Sequence, residues 1–151
     1  MLEYTILEKD EFKVAGISRT FCNENAYQLI PQFWDTVMNR FPLQGMYGIC
    51  IDSEEKNAEF AYIIADEYTG KGHIPVEYTV ITIPAATWAI FPCRGPLPDA
   101  LQNVNTKIWS QWLPNCKEYR LALNMTVEMY APPAYDPENT YSEIWIPIIK
   151  A

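Results

Sequence analysis

The clearest alternation along the chain lies in its last third. In Leu121-Ala122-Leu123-Asn124-Met125-Thr126-Val127-Glu128-Met129-Tyr130 every odd position is apolar, while Asn124, Thr126, Glu128 and Tyr130 fall between them. A period of two is that of a strand with one face in a core. The other face of such a strand is open to two readings: solvent, as in most antiparallel sheets, or a pocket in which Glu128 sits between a hydroxyl and an aromatic ring. The final segment repeats the arrangement. From Tyr141 to Ile148, Ser142, Ile144, Ile146 and Ile148 take one side, and Tyr141, Glu143 and Trp145 take the other.

Elsewhere the period changes. Residues 3–21 read as extended, with a break near Lys9-Asp10. Between Asn25 and Arg40, the residues Leu29, Ile30, Phe33, Trp34, Val37 and Met38 recur at intervals of three and four, the stripe of an amphipathic helix. Pro31 places the start of that helix near Leu29, since proline fits only a first turn or a kink, and Pro42 marks its end. Strands are expected from Met46 to Ile51 and from Glu59 to Ala65, with a polar hairpin turn over 52–57. Val76 to Ile83 and Thr87 to Phe91 also read as extended. A second helix is expected from Leu97, with the stripe Leu97, Leu101, Val104, Ile108 and Trp112, stopped by Pro114. Trp34 and Trp112 lie on helix stripes and are expected in the core, while Trp109 is beside its stripe and more open. Ala131 to Pro137 reads as a loop.

Laid side by side, residues 1–75 and 76–151 show the same order of strand, proline-terminated helix and two strands. The 151 residues are the size of one domain. The expectation is an α+β fold of duplicated βαββ units: an antiparallel sheet with two helices on one side and a ligand cleft on the other.

Composition narrows the function. A net charge of -8 with no Lys/Arg cluster repels phosphate backbones, so direct nucleic-acid binding is not expected, and an organic cation is the ligand such a charge attracts. The amino-terminal residues lack the pattern of a secretion signal, and no apolar run is long enough to span a bilayer, which points to a cytoplasmic protein without a membrane partner. Cys22, Cys50, Cys93 and Cys116 are widely spaced and read as free thiols, and His73 lies in a glycine-containing turn, so no metal or cofactor is expected. No nucleophile elbow, phosphate-binding glycine loop, zinc-protease motif or dinucleotide fingerprint is present. What remains is Glu128 and Glu143 with Tyr130, Tyr141, Trp145, Trp88, Phe91, Trp109 and Tyr47. A carboxylate among ring faces suits an organic cation, because the rings offer quadrupole attraction while the carboxylate neutralises charge. The same groups could serve acid–base chemistry if burial raised a glutamate pKa.

Several motifs taken in order carry a family resemblance: Ile83-Pro84-Ala85-Ala86-Thr87-Trp88-Ala89-Ile90-Phe91-Pro92, Gly95-Pro96-Leu97-Pro98, Ile108-Trp109-Ser110-Gln111-Trp112-Leu113-Pro114, Val127-Glu128-Met129-Tyr130 and Glu143-Ile144-Trp145-Ile146-Pro147-Ile148. With Val14-Ala15-Gly16-Ile17-Ser18-Arg19 and Phe33-Trp34 they cover nearly the whole chain. The pattern resembles the GyrI-like small-molecule-binding domains, which include the effector-binding domains of AraC-type and multidrug-sensing transcription regulators. The resemblance implies a SOUL-like duplicated βαββ fold whose cleft binds ligands, with Glu128 as charged anchor and Tyr141 as an aromatic wall. It implies a binder of aromatic or cationic drug-like molecules, expected to be standalone because the chain departs from the regulators in showing no DNA-binding domain of its own. Two alternatives follow from other members: a small hydrolase of reactive xenobiotics using Glu128, and a protein-interaction module such as a DNA gyrase inhibitor.

Overall fold

The computed structural model describes residues 2–52, 59–70, 72–131 and 141–151. Residues 53–57 of the hairpin turn expected over 52–57, and 132–137 of the loop expected over 131–137, lie outside the described residues. In chain order the elements are β1 (Thr5–Lys9), β2 (Phe12–Cys22), α1 (Ala26–Arg40), β3 (Tyr47–Asp52), β4 (Glu59–Glu67), β5 (Thr79–Ile83), β6 (Ala86–Arg94) and α2 (Asp99–Lys107). A π-helical turn (Ile108–Trp112) and α3 (Leu113–Asn115) follow α2, and then come β7 (Tyr119–Leu121), β8 (Met125–Tyr130) and β9 (Tyr141–Lys150).

Among the described residues these strands form one antiparallel sheet in the order β1-β6-β9-β8-β3-β4-β2-β5, with β7 on β9. Exchanging β1 with β5, β2 with β6, β3 with β8 and β4 with β9 reverses this order, so β3 and β8 meet at the centre, one from each half. The sheet is also curled. Phe12 on β2 and Trp145 on β9 have ring centroids 6.4 Å apart although three strands separate theirs, a span that a flat sheet would stretch to about 19 Å.

Curling gives the sheet an inner and an outer face, each with its own core. Val14, Ile49, Ile63, Trp88, Val127 and Trp145 fill the inner face. The outer face carries both helices: Phe33, Trp34 and Val37 of α1 and Leu101 and Ile108 of the second helical run pack on Tyr62, Ile64, Phe91 and Ile146. This is the antiparallel α+β arrangement expected from the periodicity.

Two local expectations change. The stretch 121–130 is not one strand, because β7 ends at Leu121 and β8 starts at Met125. Asn124 holds the break: its carbonyl accepts from the Asp52 N–H at 2.9 Å, and its side-chain amide donates to the Asp52 carbonyl at 3.0 Å. Across the break the register against β9 slips, from Leu121 opposite Ile148 to Val127 opposite Trp145. An odd slip turns side chains to the other face. Leu121 therefore packs against the outer core and Val127 in the inner one. The second change concerns α1, which starts at Ala26 rather than near Leu29 and carries Pro31 inside it.

Candidate functional site: an acidic cavity between the helices

A cavity of about 590 Å³ lies between α1 and the α2–π run, with the outer face of the sheet as its floor. Sequence periodicity placed a cleft on the face opposite the helices. The structure fills that face with the inner core, because curling brings β2 over β9, and the open volume is left on the helix side. Thr126, Glu128 and Tyr130 of β8 and Cys50 of β3 line the floor, and Trp34 and Leu101 are among the wall residues.

Glu128 is held by one oxygen. Tyr62 donates its hydroxyl to Oε1 at 2.5 Å and Tyr130 donates to the same oxygen at 2.6 Å. Behind them, the Trp34 indole N–H donates to the Tyr62 hydroxyl at 2.9 Å. Gly48 stands opposite Glu128 across the β3–β8 ladder, and a side chain there has no room: a Cβ would lie 2.2 Å from the Tyr62 hydroxyl and 2.7 Å from Oε1. Among the described residues no hydrogen bond to Oε2 is seen. Burial raises the Glu128 pKa above its ordinary value, and the hydrogen bonds from Tyr130 and Tyr62 offset only part of that rise. Burial and the nearby Glu128 charge push Tyr62 and Tyr130 well above the usual tyrosine range, so both stay protonated and act as donors. The Cys50 thiol is pushed up for the same two reasons. Part of the Glu128 surface remains accessible, through the cavity.

Pro31 has a purpose in the wall. Proline has no N–H, so the carbonyl four residues earlier, that of Tyr27, loses its helical partner. The side-chain amide of Gln102 on α2 donates to that carbonyl at 2.9 Å. In return the Tyr27 hydroxyl donates to the Gln102 carbonyl at 3.1 Å and accepts from Asn105 Nδ2 at 3.0 Å. A break in one helix thus becomes the clasp that joins the two over the sheet. Next to the clasp the π turn brings Trp109 and Ser110 to the cavity, and the Trp109 indole N–H donates to Asn105 Oδ1 at 3.0 Å.

The model of the integron-associated effector-binding proteins, Cass2, matches residues 5–148. The chain belongs to this family. Solved structures with the same fold include SAV2435 bound to tetraphenylphosphonium, at 23% identity over 98% of this chain and 94% of that one, with a TM-score of 0.77. The integron cassette protein VCH_CASS2 from the mobile metagenome of Vibrio cholerae is 17% identical over 97% and 95%, with a TM-score of 0.73. A putative transcription regulation protein from Staphylococcus aureus MU50 is 24% identical over 98% and 99%, with a TM-score of 0.71. No curated protein matches the chain. Membership of an effector-binding family accords with the GyrI-like resemblance carried by the motifs.

For this effector-binding chain, the structure brings together only some of the residues singled out from sequence. Glu128, Tyr130 and Trp109 line the cavity. Phe91 is on the outer face but packs beneath Trp112, with centroids 4.9 Å apart, away from the cavity. Tyr47, Trp88 and Trp145 belong to the inner core and its border, and Tyr141 and Glu143 alternate in phase with Trp145 on the same inner face. Strand alternation alone could not show which face the helices would cover. Periodicity and motifs do not mark Tyr62, Trp34, Cys50, Asp52 or the Tyr27–Gln102 clasp as site residues. Tyr62 had a signal of its own, a hydroxyl inside the continuous apolar run 60–65 that needs a buried partner. His73 is exposed and is not among the lining residues.

Proposed function

We propose that the chain binds organic cations with aromatic surface in the cavity between its helices, and that Glu128 is the charged anchor. The observation that carries this reading is the state of Glu128: a desolvated carboxylate with both hydroxyl donors on Oε1, at the floor of a cavity whose described lining holds no Lys or Arg. A buried charge without a countercharge is costly, and a cation entering the cavity relieves that cost. Trp34 and Tyr130, packed edge to face with centroids 5.0 Å apart, and the exposed Trp109 line the same cavity. SAV2435, whose fold the chain shares, was solved bound to tetraphenylphosphonium, a cation of this kind. The volume falls in the range of drug-sized sites. The net charge of -8 favours cation entry and disfavours direct contact with DNA, in keeping with a sensor or sequestering protein.

Fluorescence titration with tetraphenylphosphonium tests the reading. Glu128→Gln is expected to weaken binding by about 1–3 kcal/mol, as a charge-assisted contact becomes a neutral one. Unchanged affinity for every cation that the wild type binds would end the assignment. Two tyrosines on one glutamate oxygen also suit a glutamate-dependent hydrolase. Recovery of an electrophilic ligand in cleaved form, with cleavage abolished by Glu128→Gln, would put that second reading first.

A further inference from the structure

We propose that the cavity prefers elongated dications, one charge held at Glu128 and the other at Asp52. This rests on reading the cavity as a cation site and adds a second anchor to it. Asp52 ends β3 in the same alternation as Gly48 and Cys50, so it faces the helix side as Glu128 does, and it lines the same cavity. Gly48 is the cross-strand partner of Glu128, and Asp52 stands four residues further along β3. At about 3.3 Å per residue, with neighbouring strands about 4.8 Å apart, the two positions are about 14 Å apart.

The floor between them is Cys50 and Thr126, paired across the strands, with Phe60 opposite Asp52 on β4. None of these carries a positive charge. The two ends differ in setting. Glu128 is deep, beneath the helices, whereas Asp52 is at the exposed end of the floor, where burial still raises its pKa. A single cation at Glu128 leaves Asp52 without a cationic partner among the described residues lining the same cavity. A ligand with positive centres at both ends of an apolar or aromatic spacer satisfies both carboxylates and lays the spacer over the apolar floor.

The length of the floor sets the probe. Decamethonium, whose extended chain separates two quaternary nitrogens by a comparable distance, is compared with decyltrimethylammonium, which has the same chain and one charge. Both are titrated against wild type, Asp52→Asn and Asp52→Ser, with thermal melting to establish that the variants fold. Because Asp52 is partly solvated, its contribution is that of a rim charge, and each variant is expected to shift the ratio of the two affinities about fivefold against the dication. A shift under twofold in both variants, with tetraphenylphosphonium still bound by the wild type, would overturn the second anchor and leave the cation site standing. Absence of binding of all three cations to the wild type would overturn the cation site and this inference with it.

Discussion

Glu128 and Glu143 look alike along the chain and behave differently in the fold. Each has a tyrosine two residues away that donates to it at 2.6 Å, Tyr130 in one case and Tyr141 in the other. They sit on neighbouring strands, where Glu128 pairs with Ile144 and Glu143 with Met129, so they point to opposite faces. On Glu143 the donors are spread: Tyr141 takes Oε2, the Trp145 indole N–H takes Oε1 at 2.9 Å, and the Lys9 ammonium lies 4.4 Å from the Trp145 ring. On Glu128 both donors share Oε1, and the helices leave a cavity above the residue. The difference lies in the donors, which converge on one oxygen of Glu128 beside a cavity and occupy both oxygens of Glu143. The sheet closes on Glu143 by curling, and it opens on Glu128 because the clasped helices stand apart.

The largest effect that could break this contrast is at Gly48. Gly48→Ala would force a Cβ against both Tyr62 and Glu128, so a loss of about 1–3 kcal/mol in urea unfolding is expected, with weaker cation binding. An alanine variant as stable and as tight-binding as wild type would show that the pair is not held as described. Next come the two isosteric changes. Glu143→Gln must set an amide N–H against one of its two donors, and it is expected to lower stability by about 1 kcal/mol. Glu128→Gln can keep its carbonyl toward both tyrosines and turn its amide to the cavity. Its stability at neutral pH should stay level or rise, since a desolvated charge has gone. The same sign for both substitutions in thermal melts would erase the distinction.

Titration sharpens the contrast further. Burial raises the folded-state Glu128 pKa above its ordinary 4.5, so the folded protein holds that proton over a window from 4.5 up to the raised value. The Glu128 contribution to stability is full below that window and is lost as pH rises through it, while affinity for a cation climbs over the same range as the carboxylate ionises. Glu128→Gln should flatten both curves, and a wild-type affinity independent of pH across the window would contradict the desolvated state. The smallest effect is at the clasp. Gln102→Ala leaves the Tyr27 carbonyl to solvent, with an expected stability loss of about 0.5–1 kcal/mol and faster amide exchange at the start of α1, measured by hydrogen exchange. Unaltered exchange would mean that the clasp does not hold the helices.

Residue periodicity specified the elements and the antiparallel α+β class. Periods of two and of three to four are local properties, written by which side chains must leave water, and they placed β8, β9 and both helices within a few residues. They failed where a local rule met a distant partner. Pro31 predicts a helix start near Leu29 because its missing N–H has a cost; the structure meets that cost with Gln102, 71 residues further along the chain. The unbroken alternation of 121–130 predicts one strand, yet Asp52 holds Asn124 in a break that sends Leu121 and Val127 to different cores. Which carboxylate faces a cavity is set by long-range packing. Alternation assigns residues to two faces without saying which face the helices will cover, and the curl that fills one face and the clasp that spaces the helices on the other arise from contacts between residues far apart in the chain.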